Sequence, residues 1–220
     1  MKKIAIITAM QSEYDAVKTL YPFVDDEQST NAEVYQKKII LIKSGIGKVN
    51  AALATNKACQ LGADLVINTG LAGGIDDCLK QGDVVLAAHV CYHDVYCGEG
   101  NDLGQVQDFP LYYSPSDDDI QKISQSAPQF KIGLTVTGDQ FLTDPERLKQ
   151  IKKDFPTALA VDMESAAVAQ TCYINNIPFI SLRIISDVVG QKQQIEHYNN
   201  FWQNAPHLAT QMIDTTIKTI

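Results

Sequence analysis

No apolar run in the 220-residue sequence approaches the roughly 20 residues of a membrane-spanning helix, so nothing in it calls for a bilayer. No Cys-x-x-Cys pair is present. The five cysteines, an odd number, fit thiols that simply pack in a reducing compartment, and the cytoplasm is the expected location. There is no excess of positive charge: 18 basic against 26 acidic residues give a net −8, which repels nucleic acid and anionic membrane. The longest basic feature, residues 149–153, reads as a helix face. Arginine is scarce, with Arg147 and Arg183 its two occurrences. Neither glycine motif for phosphates is complete. In Ser44-Gly45-Ile46-Gly47-Lys48, Asn50 stands where a dinucleotide fingerprint has its third glycine, and no Gly-Lys-Ser/Thr occurs. Repeats and low-complexity tracts are absent. The short apolar run after Met1-Lys2-Lys3 has no small-residue cleavage site behind it, so a first strand is expected there rather than a signal peptide.

What is present is an even supply of apolar residues, 45% of the chain, which points to a single domain over residues 1–220 with one sizeable core. Apolar runs predict strands over 3–8, 34–36, 39–43, 64–69, 84–92 and 132–137. Helices are predicted over 10–20, 49–60, 117–126 and 145–153, the last capped by Asp144-Pro145. One long terminal helix is predicted over 195–220, with Tyr198, Trp202, Ala205 and Met212 on its apolar face. Residues 68–74 hold three glycines in five positions and predict a loop that lines a pocket with backbone. The stretch 158–188 reads as strand (158–161), helix (165–174) and strand (179–185), a parallel βαβ unit. Ligands of open α/β sheets sit outside the carboxyl ends of strands, where Asp162, Met163, Glu164, Ser186 and Asp187 fall. Glu13, in a first helical turn after a strand, occupies a similar position. His89, Cys91 and His93 alternate onto one strand face, but no second element is spaced to complete a zinc site, so no metal is expected.

Taken in order, eight segments resemble the nucleoside phosphorylase/hydrolase fold and, within it, the 5′-methylthioadenosine/S-adenosylhomocysteine nucleosidases. They are IAIITAMQSE (4–13), SGIGKVNAA (44–52), INTGLAGG (67–74), residues 82–84, YHD (92–94), GDQFL (138–142), AVDMES (160–165) and RIISDV (183–188). The resemblance implies an α/β fold, a three-layer α/β/α domain with a mixed, largely parallel central sheet. It also implies a homodimer that hydrolyses an N-ribosidic bond without cofactor or metal. By similarity, Asp187 is the general acid toward adenine N7, oriented by Ser186, and Glu13 is the general base for water. Glu164 grips the ribose hydroxyls and stabilises the cation-like sugar. Met163 and Phe141 pack on ring and sugar, Met10 is a further substrate-binding residue, backbone at Leu142 reads the adenine edge, Gly73 lines the sugar and water side, and Arg183 positions the carboxylates.

Four departures stand out. Leu71 replaces the family's usual Ser, Asp162 a usual Glu, and the loop 95–114 is divergent, with Phe109 and Pro110 as candidates for completing a partner's pocket. After Asp187 the run VVGQKQQIEHY is atypical, and Tyr198 or His197 can supply the aromatic cover. A nucleosidase for futalosine or another purine nucleoside and a non-catalytic nucleoside binder remain alternatives. So does a purine nucleoside phosphorylase, although two arginines are few for a phosphate dianion.

Overall fold

The computed structural model describes residues 1–26, 29–204 and 206–220, and only the backbone of 202–204 and 206. The chain begins β1 (Lys2–Thr8), α1 (Gln11–Lys18), β2 (Val24–Asp25), β3 (Thr30–Val34), β4 (Lys37–Lys43), α2 (Lys48–Gln60) and β5 (Leu65–Gly74). It continues with β6 (Val84–Tyr92), α3 (Asp117–Ser126), β7 (Lys131–Thr137), α4 (Pro145–Asp154), β8 (Ala158–Asp162), α5 (Ser165–Asn175) and β9 (Phe179–Val188). The described elements end with α6 (Gln194–Asn204) and α7 (Pro206–Thr219).

The strands form a mixed sheet in the order β2-β3-β4-β1-β5-β8-β7-β6-β9, with β9 also paired to β5. Five strands therefore close into a ring. The continuous apolar run of β1 is explained by burial on both faces. Ile4 and Ile6 pack on one side with Val17 of α1, Ile123 of α3 and Ile213 of α7. Ala5 and Ile7 face the other side with α2 and α5. These are the outer layers of a three-layer α/β/α arrangement. The α2–α5 contact is made of small side chains, Ala51, Ala54 and Ala58 with Ala166, Ala167 and Ala169. Close approach of these helices brings the residue before α2, Gly47, to the residue before α5, Glu164.

Four sequence expectations need correction. The stretch 158–188 is not a parallel βαβ unit: β9 runs parallel to β5 while β8 meets β5 antiparallel, so β8 and β9 oppose one another. The reason is ring closure, in which β8 reaches β5 at its tip alone, through Gly73↔Val161 and Gly74↔Ala160. Residues 68–74 are not a loop but the latter part of β5, paired with β9 from Asn68↔Ser181 to Gly74↔Val188. The predicted strand 34–36 is mostly turn. Tyr35 and Gln36, at φ 50° and 58°, reverse the chain between β3 and β4, and without a glycine they carry no turn signal. The terminal helix is two helices, because Pro206 can open α7 but cannot continue α6. The Trp202 side chain and Ala205 lie outside the described residues.

The β5–β8 seam places the carboxyl ends of strands running in opposite directions beside each other. If small residues at the α2–α5 contact set the neighbouring geometry, Ala51→Leu should overpack it. The expected loss is about 1–3 kcal/mol by denaturant midpoint; an unshifted midpoint would show that the contact is loose.

Candidate active site

Glu13 enters the site from the first turn of α1 and is buried. Its Oε2 accepts from the backbone N–H of Ala9 (2.8 Å) and Met10 (2.9 Å), and its Oε1 accepts from the N–H of Leu71 (2.9 Å). Three of the roughly four acceptor positions of a carboxylate are thereby filled, and one is left for a water proton. Gly70 is required beside it: a Cβ there would lie 2.5 Å from Glu13 Oε1 and 2.9 Å from Arg183 Nη1.

Behind the site lies Arg183, buried in the middle of β9. Its Nε is 2.8 Å from Asp162 Oδ2, its Nη2 donates to Asn68 Oδ1 at 2.6 Å, and Glu164 Oε2 lies 3.5 Å away. Asp162 is fully engaged, accepting also from Thr137 Oγ1 (2.6 Å), the Ser165 hydroxyl, and the N–H groups of Glu164 and Ser165. It is a structural capping group for α5. Glu164 keeps one firm donor, the Gly47 N–H at 2.9 Å, made available by the left-handed φ of 96° at Gly47. Burial pushes the Glu164 carboxyl up to about 7, against the opposing pull of Arg183.

Asp187 sits near the end of β9, with Oδ1 accepting from Ser186 Oγ (2.5 Å) and Oδ2 from Gln194 Nε2 (2.8 Å). Burial raises its pKa; the Ser186 and Gln194 hydrogen bonds act in the opposite direction. All three carboxylates line one cavity of about 370 Å³, with Met10, Phe141 and Met163 among its walls. Tyr198 of α6 covers it, its ring centroid 5.0 Å from that of Phe141 and its hydroxyl 3.4 Å from Met10 Sδ. Asp162 also reaches the wall but is spent on Arg183 and α5, so the cavity offers three carboxylates with apolar wall between them, which suits a neutral aromatic ligand carrying a polyol.

The sequence pattern of the phosphorylase superfamily matches residues 3–218. A 5′-methylthioadenosine/S-adenosylhomocysteine nucleosidase from Lysinibacillus sphaericus is 37% identical over 224 residues, covering 96% of both chains. The chain belongs to the phosphorylase superfamily, in its methylthioadenosine/S-adenosylhomocysteine nucleosidase branch. Solved structures agree. The Neisseria meningitidis nucleosidase in complex with methylthio-immucillin-A superposes with a TM-score of 0.92 at 33% identity, covering 100% of each chain. The nucleosidase of Colwellia psychrerythraea 34H in complex with adenine gives 0.91 at 33%, covering 99% of this chain and 95% of that one.

Nine of the ten site residues expected for a nucleosidase of this branch line the cavity: Met10, Glu13, Gly73, Phe141, Leu142, Met163, Glu164, Ser186 and Asp187. Arg183 does not; it stands behind the wall as a positioning group. Of the two candidates for aromatic cover, Tyr198 reaches the cavity. Sequence reasoning missed Gln194, Ile46 and Gln140 as lining residues and Asn68 as an Arg183 partner. Asn68 opens the Asn-Thr-Gly run, a polar residue in an apolar strand, which was an available signal. His89 is exposed and bonded to Ser114, while Cys91 and His93 are buried. Among the described residues no His/Cys/Asp/Glu group is arranged to hold a metal.

If Arg183 holds two carboxylates in a dry interior, Arg183→Met should cost about 3–5 kcal/mol in thermal or denaturant unfolding. Adding Asp162→Asn should recover part of that loss. Additive losses in the double variant would mean the two side chains are not paired in solution.

Proposed function

We propose that this chain hydrolyses the N-glycosidic bond of 5′-methylthioadenosine and S-adenosylhomocysteine, releasing adenine and the thioribose product. The observation that carries the reading is the sorting of three carboxylates around one cavity, each in a different setting. Asp187, with its pKa raised by burial, is suited to deliver a proton to adenine N7. Glu13, pinned by three backbone donors, is suited to take one from water. Glu164, held by Gly47 N–H and faced by Arg183, is suited to grip the ribose hydroxyls and meet the developing positive charge. The C1′–N bond breaks and the C1′–O bond forms on opposite faces of the same anomeric carbon, with Met163 and Phe141 packed against sugar and base.

Water rather than phosphate is the nucleophile in this reading because neither arginine lines the cavity. Arg183 is consumed by Asp162, and Arg147 donates to the His93 carbonyl at 3.2 Å. Leu71 in place of Ser does not remove the Glu13 clamp, because the bond comes from the Leu71 backbone. We place the enzyme in the cytoplasm, as a single domain that acts as a homodimer. Support for the dimer comes from Ile46, Val49 and Leu53, apolar and exposed at the start of α2 beside the cavity. Phe109 and Pro110 are the residues we assign to the partner's pocket.

The deciding experiment measures base release from methylthioadenosine, S-adenosylhomocysteine and inosine, with and without phosphate. Phosphate-independent adenine release from the two thionucleosides is expected, and Asp187→Asn should abolish most of it, roughly 10²–10⁴-fold. Turnover of inosine alone, or a phosphate requirement, would refute the reading. A second consequence concerns pH. Glu164 acts ionised and burial pushes its carboxyl up to about 7, so the part of kcat/KM that depends on its charge should rise with pH through that region. Glu164→Gln should erase the rising limb. A profile whose rising limb survives that substitution assigns the limb to another group.

A further inference from the structure

Gln194 is the first residue of α6, buried, and part of the cavity wall in the atypical stretch after Asp187. Its side-chain amino group makes two hydrogen bonds at once, to Asp187 Oδ2 at 2.8 Å and to the Leu142 carbonyl at 2.8 Å. Its Oε1 accepts from the Gly190 N–H at 3.1 Å, which fixes the orientation of the amide. The group presented to the two acceptors is therefore a planar NH₂ on an sp² carbon, with two protons diverging in the plane.

A 6-aminopurine carries the same group. With N7 beside Asp187 and its edge read by the Leu142 backbone, the exocyclic amino group must meet these same two oxygens. This step rests on the adenine-releasing function proposed above. We infer that Gln194 is a built-in surrogate for the amino group of the base, filling the base seat of the empty enzyme and leaving it when substrate enters. Two nitrogens cannot share one position, so binding is an exchange: the amide swings out and the base supplies the two hydrogen bonds it gave up. The exchange is close to even in hydrogen bonds, and neither the buried carboxylate nor the buried carbonyl is left without a donor in the empty state. The cost appears in affinity, since a site held closed by its own side chain binds more weakly by the fraction of time it is open.

The test uses Gln194→Met, which keeps the volume and removes the amide, and Gln194→Ala, which removes both. Adenine and hypoxanthine binding are measured by calorimetry, and KM for methylthioadenosine by base release. With a net contact worth of about 1 kcal/mol, the adenine Kd and the KM should each fall about fivefold in both variants. Hypoxanthine must displace the same amide to take the seat, so its Kd should fall by the same factor. Unchanged or weaker adenine binding in the two variants overturns the inference, because Gln194 would then support the bound base or only prop Asp187. Tightening in Gln194→Ala alone, with Gln194→Met unchanged, also overturns it, since a steric plug would suffice. A wild-type enzyme that neither binds adenine nor releases it fails the functional proposal itself, whereas a competent wild type with unimproved variants fails the surrogate alone.

Discussion

One buried guanidinium holds the working parts of this molecule in register. Arg183 sits where a strand in the middle of the fold would ordinarily carry an apolar side chain, and its charge is tolerable there because Asp162, Asn68 and Ser165 meet it with good geometry. The planar fork matters. A lysine ammonium at the same depth could not reach a carboxylate with Nε and an amide oxygen with Nη2 while also facing Glu164. Asp162, fixed by this contact, caps α5, and the cap fixes the backbone from which Glu164 projects. The position of one cavity carboxylate thus descends from an ion pair whose guanidinium lies behind the cavity wall.

The fold supplies the second constraint. Strands arriving from opposite directions overlap at two residue pairs, so chain ends that an open parallel sheet would spread along one edge are gathered at a point. The carboxylates collected there differ in environment more than in chemistry. Backbone donors surround Glu13, burial dominates at Asp187, and Glu164 is balanced between burial and a cation. In the function proposed, such separation of environments lets one residue type serve as acid, base and counter-charge.

Much of this was legible in the sequence, and the limits have physical causes. Elements governed by local chemistry were plain: β1 from its unbroken apolar run and α4 from Asp144-Pro145. Nine of the ten residues picked out by the ordered motifs line one cavity. What could not be read was long-range. No local pattern announces that β8 and β9 run in opposite senses, because ring closure depends on a two-pair contact between residues some ninety positions apart. Tyr35 and Gln36 turn the chain at positive φ without the usual glycine or asparagine. Gln194 lies where the motif ends, and its importance comes from partners 7 and 52 residues away.

The donors that fix Glu13 and Glu164 are main-chain N–H groups, at Ala9, Met10, Leu71 and Gly47. A main-chain donor is indifferent to the side chain it carries, provided the backbone conformation can be kept. Wall side chains such as Leu71 can therefore change without removing the donors that hold the carboxylates. Selection can reshape what the cavity admits without first having to reinvent how it reacts.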